Sequence, residues 1–198
     1  MDQTETLLDA AFWLTAAAIA GLLLLSAFFS GSETALTAAS RAKLRARADK
    51  GDRGADRALS VTEDSERLIG AILLGNNVVN ILSASLATAL LTRLFGDSGV
   101  ALATLGMTAL VLVFSEVLPK TYAITLPETV AARVARPIGV LTLILAPIVT
   151  VVRTIVRGIL WAFGMRTDAN QHMFSIHEEI AGALAIGASE GTVDKEDR

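Results

Sequence analysis

Ser115-Glu116-Val117-Leu118-Pro119-Lys120 lies inside an otherwise uncharged apolar run from about Gly99 to Leu126, long enough to cross a bilayer as one helix. An ionisable residue at membrane depth is expensive, so Glu116 marks a functional position. Glu116 and Lys120 are four residues apart and share a helix face, where they can pair. Pro119 has no N–H to offer the Ser115 carbonyl, and its ring pushes that turn open. The freed carbonyl needs a partner: water, a neighbouring side chain or a bound cation. Irregular backbone at this depth persists only inside protein or beside a watery cavity. A proline kink braced by a structural ion pair is the plainer alternative.

The composition agrees with a membrane setting. Hydrophobic residues make up 53% of the 198, and they are gathered in long uncharged runs rather than spread at amphipathic spacing. The net charge of -3 comes with no basic tract interleaved with aromatics, which argues against nucleic acid as a partner. Without cysteine there is no disulfide, thiol chemistry or thiolate ligand. No nucleophile stands beside a paired base and no loop is built to cradle phosphate, so an enzyme is not expected.

The chain is expected to be an all-α membrane protein. Spans are predicted at about 10–29, 68–92 and 99–126, with juxtamembrane helices at about 35–60 and 128–165. The first span closes on Phe28-Phe29-Ser30-Gly31-Ser32-Glu33, where small residues permit a break in the helix. Between Arg41 and Arg67 lies a cluster of bases that places this segment on the cytoplasmic side; Gly51 to Gly54 divides it into two short helices. Ile138 to Val152 is apolar but reaches only about 22 Å, short of a core of about 30 Å. Bases flank it on both sides, so an interfacial or re-entrant helix pair is predicted; a fourth span, which would place the C-terminus outside, is the alternative.

Residues 1–167 are read as the membrane domain and 168–198 as acidic cytosolic linker helices, the first opened by a capping box at Ser175-Ile176-His177-Glu178. The acidic end at Asp194 to Arg198 reads as the first turn of a further helix, so more chain is expected to follow. His172 and His177 lie too far from the polar membrane stripes to share a site with them.

Three polar stripes fall in the middle-to-inner half of the membrane. Ser26 and Ser30 share a face of the first span; Asn76 and Asn80, followed by Ser83, share a face of the second; Glu116 stands in the third. Hydroxyls, amide carbonyls, a freed backbone carbonyl and one carboxylate form an all-oxygen set, which suits a hard cation such as Mg²⁺ or Na⁺. Ordinary interhelical hydrogen bonding, worth about 1 kcal/mol per bond, explains one asparagine better than three.

In order and spacing, Phe28 to Ala38 (FFSGSETALTA), Gly75-Asn76-Asn77 with Asn80, and Ser115 to Lys120 resemble the transmembrane domain of the CorC and cyclin M (CNNM) family of magnesium transporters. The resemblance covers nearly the whole chain. It implies a homodimer of three-span protomers with juxtamembrane helices in the inner or plasma membrane, N-terminus outside and C-terminus cytoplasmic. It further implies Mg²⁺ export, coupled to Na⁺ entry, from one site per protomer. By motif the metal residues are Ser30, Asn76, Asn80 and Glu116, with Ser26, Gly31, Gly75, Asn77, Ser83 and Ser115 as neighbours. Pro119 supplies the kink and Lys120 a salt bridge to Glu116. The family's nucleotide-binding CBS pair is absent from these 198 residues, so no ATP site is expected in them. A Mg²⁺-sensing scaffold that regulates another transporter is the alternative function, separable by ion flux; a pore-forming toxin finds little support in spans that look permanent.

Overall fold

The computed structural model describes residues 10–163. The capping box at Ser175, the acidic linker helices and both histidines lie outside the described residues. All regular secondary structure among those residues is helical: α1 (Ala10–Ala38), α2 (Arg41–Ala48), α3 (Arg53–Val61), α4 (Ser65–Phe95), α5 (Ser98–Leu110), a π-helical segment (Val111–Val117), α6 (Leu118–Thr125) and α7 (Pro127–Ala162). The chain divides into two compact units, 1–150 and 151–198. In the second, the described residues are the last turns of α7 and Phe163.

Local chemistry sets the boundaries. Ser40, Asp52 and Asp64 each accept a backbone N–H in the first turn of α2, α3 and α4. Gly51 (φ 92°) and Gly96 (φ 59°) take left-handed turns that other residues resist, the first between α2 and α3, the second closing α4. A Cβ on Gly99 would run into the Leu91 carbonyl oxygen, so glycine permits the tight return from α4 into α5.

Four helical runs among the described residues are long and apolar enough to cross a membrane: Ala10–Ala38, Ser65–Phe95, Ser98–Thr125 and Pro127–Ala162. Their outward faces carry Leu14, Leu24, Leu105 and Leu143, each at least 70% exposed, which is the surface a hydrocarbon solvent requires. The interior is assembled from Phe29, Leu36, Leu44, Leu68, Ile72 and Ile138, with alanines where backbones approach. Helix α1 is central, packing against α4 on one side and against the π segment and α6 on the other; α4 also packs against α5.

Three expectations change. α1 does not break at Ser30–Glu33 but continues to Ala38. Gly31 instead lets α1 meet α6, since a Cβ there would be 3.3 Å from Pro119 Cβ. The predicted juxtamembrane pair over 35–60 therefore shortens to α2 and α3. Finally, 127–162 is one 36-residue helix rather than a re-entrant pair. Counting only uncharged residues stopped the sequence estimate at Arg136 and Arg153, whereas the helix runs through both and through Pro137 and Pro147. Proline removes one ladder bond, a loss that packed membrane helices tolerate. At about 54 Å the helix exceeds the length of a hydrocarbon core.

Candidate cation site between the membrane helices

Pro119 fixes the local geometry of the third span. The ladder shifts before it from α to π register, with the Leu118 N–H donating five residues back to the Val113 carbonyl. The open turn predicted from sequence is thus a π segment, a feature often found at functional positions. It turns Ser115 inward, where its buried hydroxyl donates to the Leu23 carbonyl of α1 at 3.0 Å. Glu116 beside it is half-buried.

A second contact joins α1 to α4. Ser26 Oγ, fully buried, donates to Asn76 Oδ1 at 2.8 Å. Ser83 Oγ donates to the Asn80 carbonyl at 3.0 Å and fixes that turn of α4. Asn80 Oδ1 is buried with no hydrogen-bond partner among the described residues. Leaving such an acceptor unmet costs about 1–3 kcal/mol.

Axial positions follow from these contacts. Ser26 lies level with Asn76, and Ser115 lies level with Leu23, one turn toward the α4–α5 hairpin. Asn80 is also one turn, about 6 Å, toward that hairpin from Asn76. Ser26, Asn76, Asn80 and the Ser115–Glu116 pair therefore form one seam about two turns deep. Ser30 falls about 6 Å to the other side of Ser26, toward α2 and α3. Its buried Oγ also lacks a partner among the described residues, as does that of Ser32. The geometry thus gives Ser26 a direct place beside Asn76, while Ser30 stands at the rim.

The remaining predicted neighbours separate. Gly75 lies under the Phe29 ring, 3.1 Å from where its Cβ would be, and so sets the α1–α4 spacing. Asn77 is on the exposed face of α4. The described residues show no Glu116–Lys120 bridge; their ion pairs include Lys43 with Glu128, Arg45 with Asp49 and Arg47 with Asp52. A π turn holds more residues than an α turn, so the i, i+4 superposition behind that expectation is lost across the junction.

Glu116 and Asn80 line a groove of about 500 Å³ between α4 and the α5–π run, together with Thr88, Thr104 and Thr108. These threonines were not among the sequence candidates. Their i, i+4 spacing toward Asn80 and Glu116 was the available signal. No group of three or more His, Asp or Glu side chains comes together among the described residues. The seam's donors are neutral oxygens and one carboxylate, a set for a hard cation that keeps part of its water.

Outside the membrane helices, α2 and α3 form a closed polar network on the start of α7. Arg47 donates to Asp52 at 2.8 and 3.0 Å and to Thr129 Oγ1 at 3.3 Å. Lys43 pairs with Glu128 at 3.2 Å. The Asp52 carboxyl is held below its usual range, first by the Ala55 N–H and then by Arg47.

Helices of membrane length around a buried, oxygen-lined seam define a polytopic membrane protein with an intramembrane polar site. Residues 17–197 match the family described as the cyclin M transmembrane N-terminal domain (CNNM). The chain is 43% identical over 144 residues to the UPF0053 inner membrane protein YfjD of Escherichia coli K12, covering 73% of this chain and 34% of that protein. It is 35% identical over 181 residues to the chloroplastic DUF21 domain-containing protein At1g55930 of Arabidopsis thaliana, covering 91% of this chain and 27% of that one. With a polyamine export protein of Haemophilus influenzae it shares 29% over 192 residues, covering 90% and 44%. The chain belongs to the CorC and cyclin M family, and it spans less than half the length of these relatives.

Proposed function

We propose that this domain is a carrier that exports Mg²⁺ by alternating access, working as a homodimer and drawing on Na⁺ entry. The observation that carries the reading is Asn80 Oδ1, buried with no partner among the described residues, in the groove it shares with the Glu116 carboxylate. A fold retains such an acceptor at a cost unless a ligand meets it, and a carboxylate beside it selects a cation. Ser26, Asn76, Asn80 and Glu116 bind in this reading. Ser115 and Pro119 hold the π segment that presents Glu116, and Ser30 receives the ion from the side of the Arg-rich helices, which faces the cytoplasm. A site with one carboxylate binds weakly enough to release its ion.

A polyamine is the second reading, prompted by the relative named as a polyamine export protein. A chain of spaced ammonium groups would require several acceptors of negative charge, whereas the described seam offers Glu116 alone.

The test is Mg²⁺ movement in proteoliposomes with and without a Na⁺ gradient, comparing wild type with Asn76→Ala and adding spermidine as competitor. Saturable Mg²⁺ flux that depends on the Na⁺ gradient, is lost in the variant and is insensitive to spermidine supports the proposal. Spermidine flux without Mg²⁺ flux would replace the substrate. Mg²⁺ binding without flux of either would favour a sensor that regulates another transporter.

A further inference from the structure

Not every base near the α2–α3 hairpin is neutralised. Lys43, Arg45 and Arg47 pair with carboxylates, whereas Arg53, Arg57, Arg133 and Arg136 are exposed, and their guanidinium groups make no ion pair or hydrogen bond with the described residues. Packing brings these four together. A Cβ on Gly54 would be 2.6 Å from the Ala132 carbonyl oxygen, and one on Gly139 would be 3.2 Å from Val61 Cγ2. The two contacts lie the same number of residues apart on each helix, so α3 and α7 run parallel and in register. Arg57 and Arg136 then differ in height by about 1.5 Å, and Arg53 and Arg133 by about 3 Å. Arg53 and Arg57 stand on the row that ends at Val61, and Arg136 on the row of Ala132 and Gly139, the two rows that meet. Asp56 is the single carboxylate of residues 53–58 and 131–136.

The outward face of α7 changes character along its length. Arg133, Arg136, Val140, Leu143 and Ile144 follow at helical spacing on one face, and the last three are 55%, 70% and 65% exposed. The neighbouring helices give this change a depth. Gly139 meets Val61, before the α4 span begins, whereas Val149 meets Gly70, within the first turns of that span. From Arg133 to Ile144, α7 therefore passes from the level of the headgroups into hydrocarbon. Guanidinium groups take phosphate oxygens through two parallel hydrogen bonds, and basic clusters beside a membrane span attract anionic lipid. Arginine followed by exposed aliphatic side chains on one strip matches a phospholipid, phosphate first and acyl chain after. A soluble polyanion would leave the apolar half of the strip uncovered.

We propose that the α3–α7 pair binds the headgroup phosphate of an anionic phospholipid through Arg57 and Arg136, flanked by Arg53 and Arg133, with an acyl chain lying along Leu143 and Ile144. This lipid site is independent of the carrier reading above.

The test is thermal unfolding of the purified protein in neutral detergent, titrated with dioleoyl phosphatidylglycerol or with phosphatidylcholine of the same chains. Phosphatidylglycerol should raise Tm saturably, with a midpoint at least about tenfold below that of phosphatidylcholine. Arg57→Gln with Arg136→Gln should move that midpoint up about tenfold. Each single variant should move it about threefold, a check that does not need the double variant to fold. Arg45→Gln with Lys50→Gln removes the same number of bases from exposed positions of the hairpin outside the α3–α7 pair, and should leave the midpoint within about twofold. Glycerol phosphate, a headgroup without chains, should not compete at equal concentration. An equal response to both lipids, or an equal loss in the two double variants, would assign the effect to net charge and overturn the site. Competition by glycerol phosphate would replace the lipid with a soluble phosphate and overturn it as well.

Discussion

The α2–α3 hairpin and the intramembrane seam use the same materials, oxygen and charge, but satisfy them in opposite ways. In the hairpin each main acceptor is met: Asp52 takes two backbone N–H groups and Arg47, and Glu128 takes Lys43 and the Ser40 N–H. In the seam Asn80 Oδ1 and, at its rim, Ser30 Oγ are buried with no partner among the described residues. Surface charge that closes on itself is structural and contributes modestly. Buried oxygen that stays open lowers stability and is expected where a ligand completes the set. On the proposed carrier reading, the contrast separates residues that hold the fold from residues that would hold the cargo.

Substitutions in the two regions should therefore fail different assays. The largest stability effect is expected for Gly54→Ala, whose new Cβ would lie 2.6 Å from the Ala132 carbonyl oxygen. Moving that backbone should cost about 1–3 kcal/mol, read as a lower Tm, while Mg²⁺ affinity stays unchanged. Asp52→Ala removes the α3 cap and the Arg47 partner, and should lower Tm by less than Gly54→Ala does. Because the folded Asp52 carboxyl titrates below its ordinary value, its contribution is fully present above about pH 4 and disappears as pH falls through the folded value. A pH series of Tm should show wild type and Asp52→Ala converging only on the acid side. Ser30→Ala should shift stability least, by under about 0.5 kcal/mol, since no hydrogen bond is lost, yet slow Mg²⁺ flux in proteoliposomes about threefold. A destabilised Ser30→Ala with normal flux would erase the contrast.

Much of this was legible in the residues. Long uncharged runs gave the helical membrane class. Pro119 announced an opened turn, and the structure makes it a π segment. What was not legible depended on partners distant in sequence. Gly31 reads locally as a helix breaker, but Pro119 lies against it and the helix continues. Ser26 and Ser30 share one face, and only the contact with Asn76 separates them. Glu116 and Lys120 pair by α-helical arithmetic, which the π register cancels. The full length of α7 was not legible because Arg136 and Arg153 bound its apolar run, whereas a helix can carry arginines beyond the apolar core.

The central claim is that the seam's open oxygens are completed by Mg²⁺, and it is tested most directly by the Mg²⁺ dependence of thermal stability in purified protein. A ligand that binds only the folded state at about a hundred times its Kd should stabilise it by about 2.7 kcal/mol. Wild type should gain Tm with rising Mg²⁺ and saturate, while Asn80→Ala and Glu116→Gln, folded and with intact hairpins, should not respond. An unresponsive wild type, or an equal gain in both variants, would contradict the account.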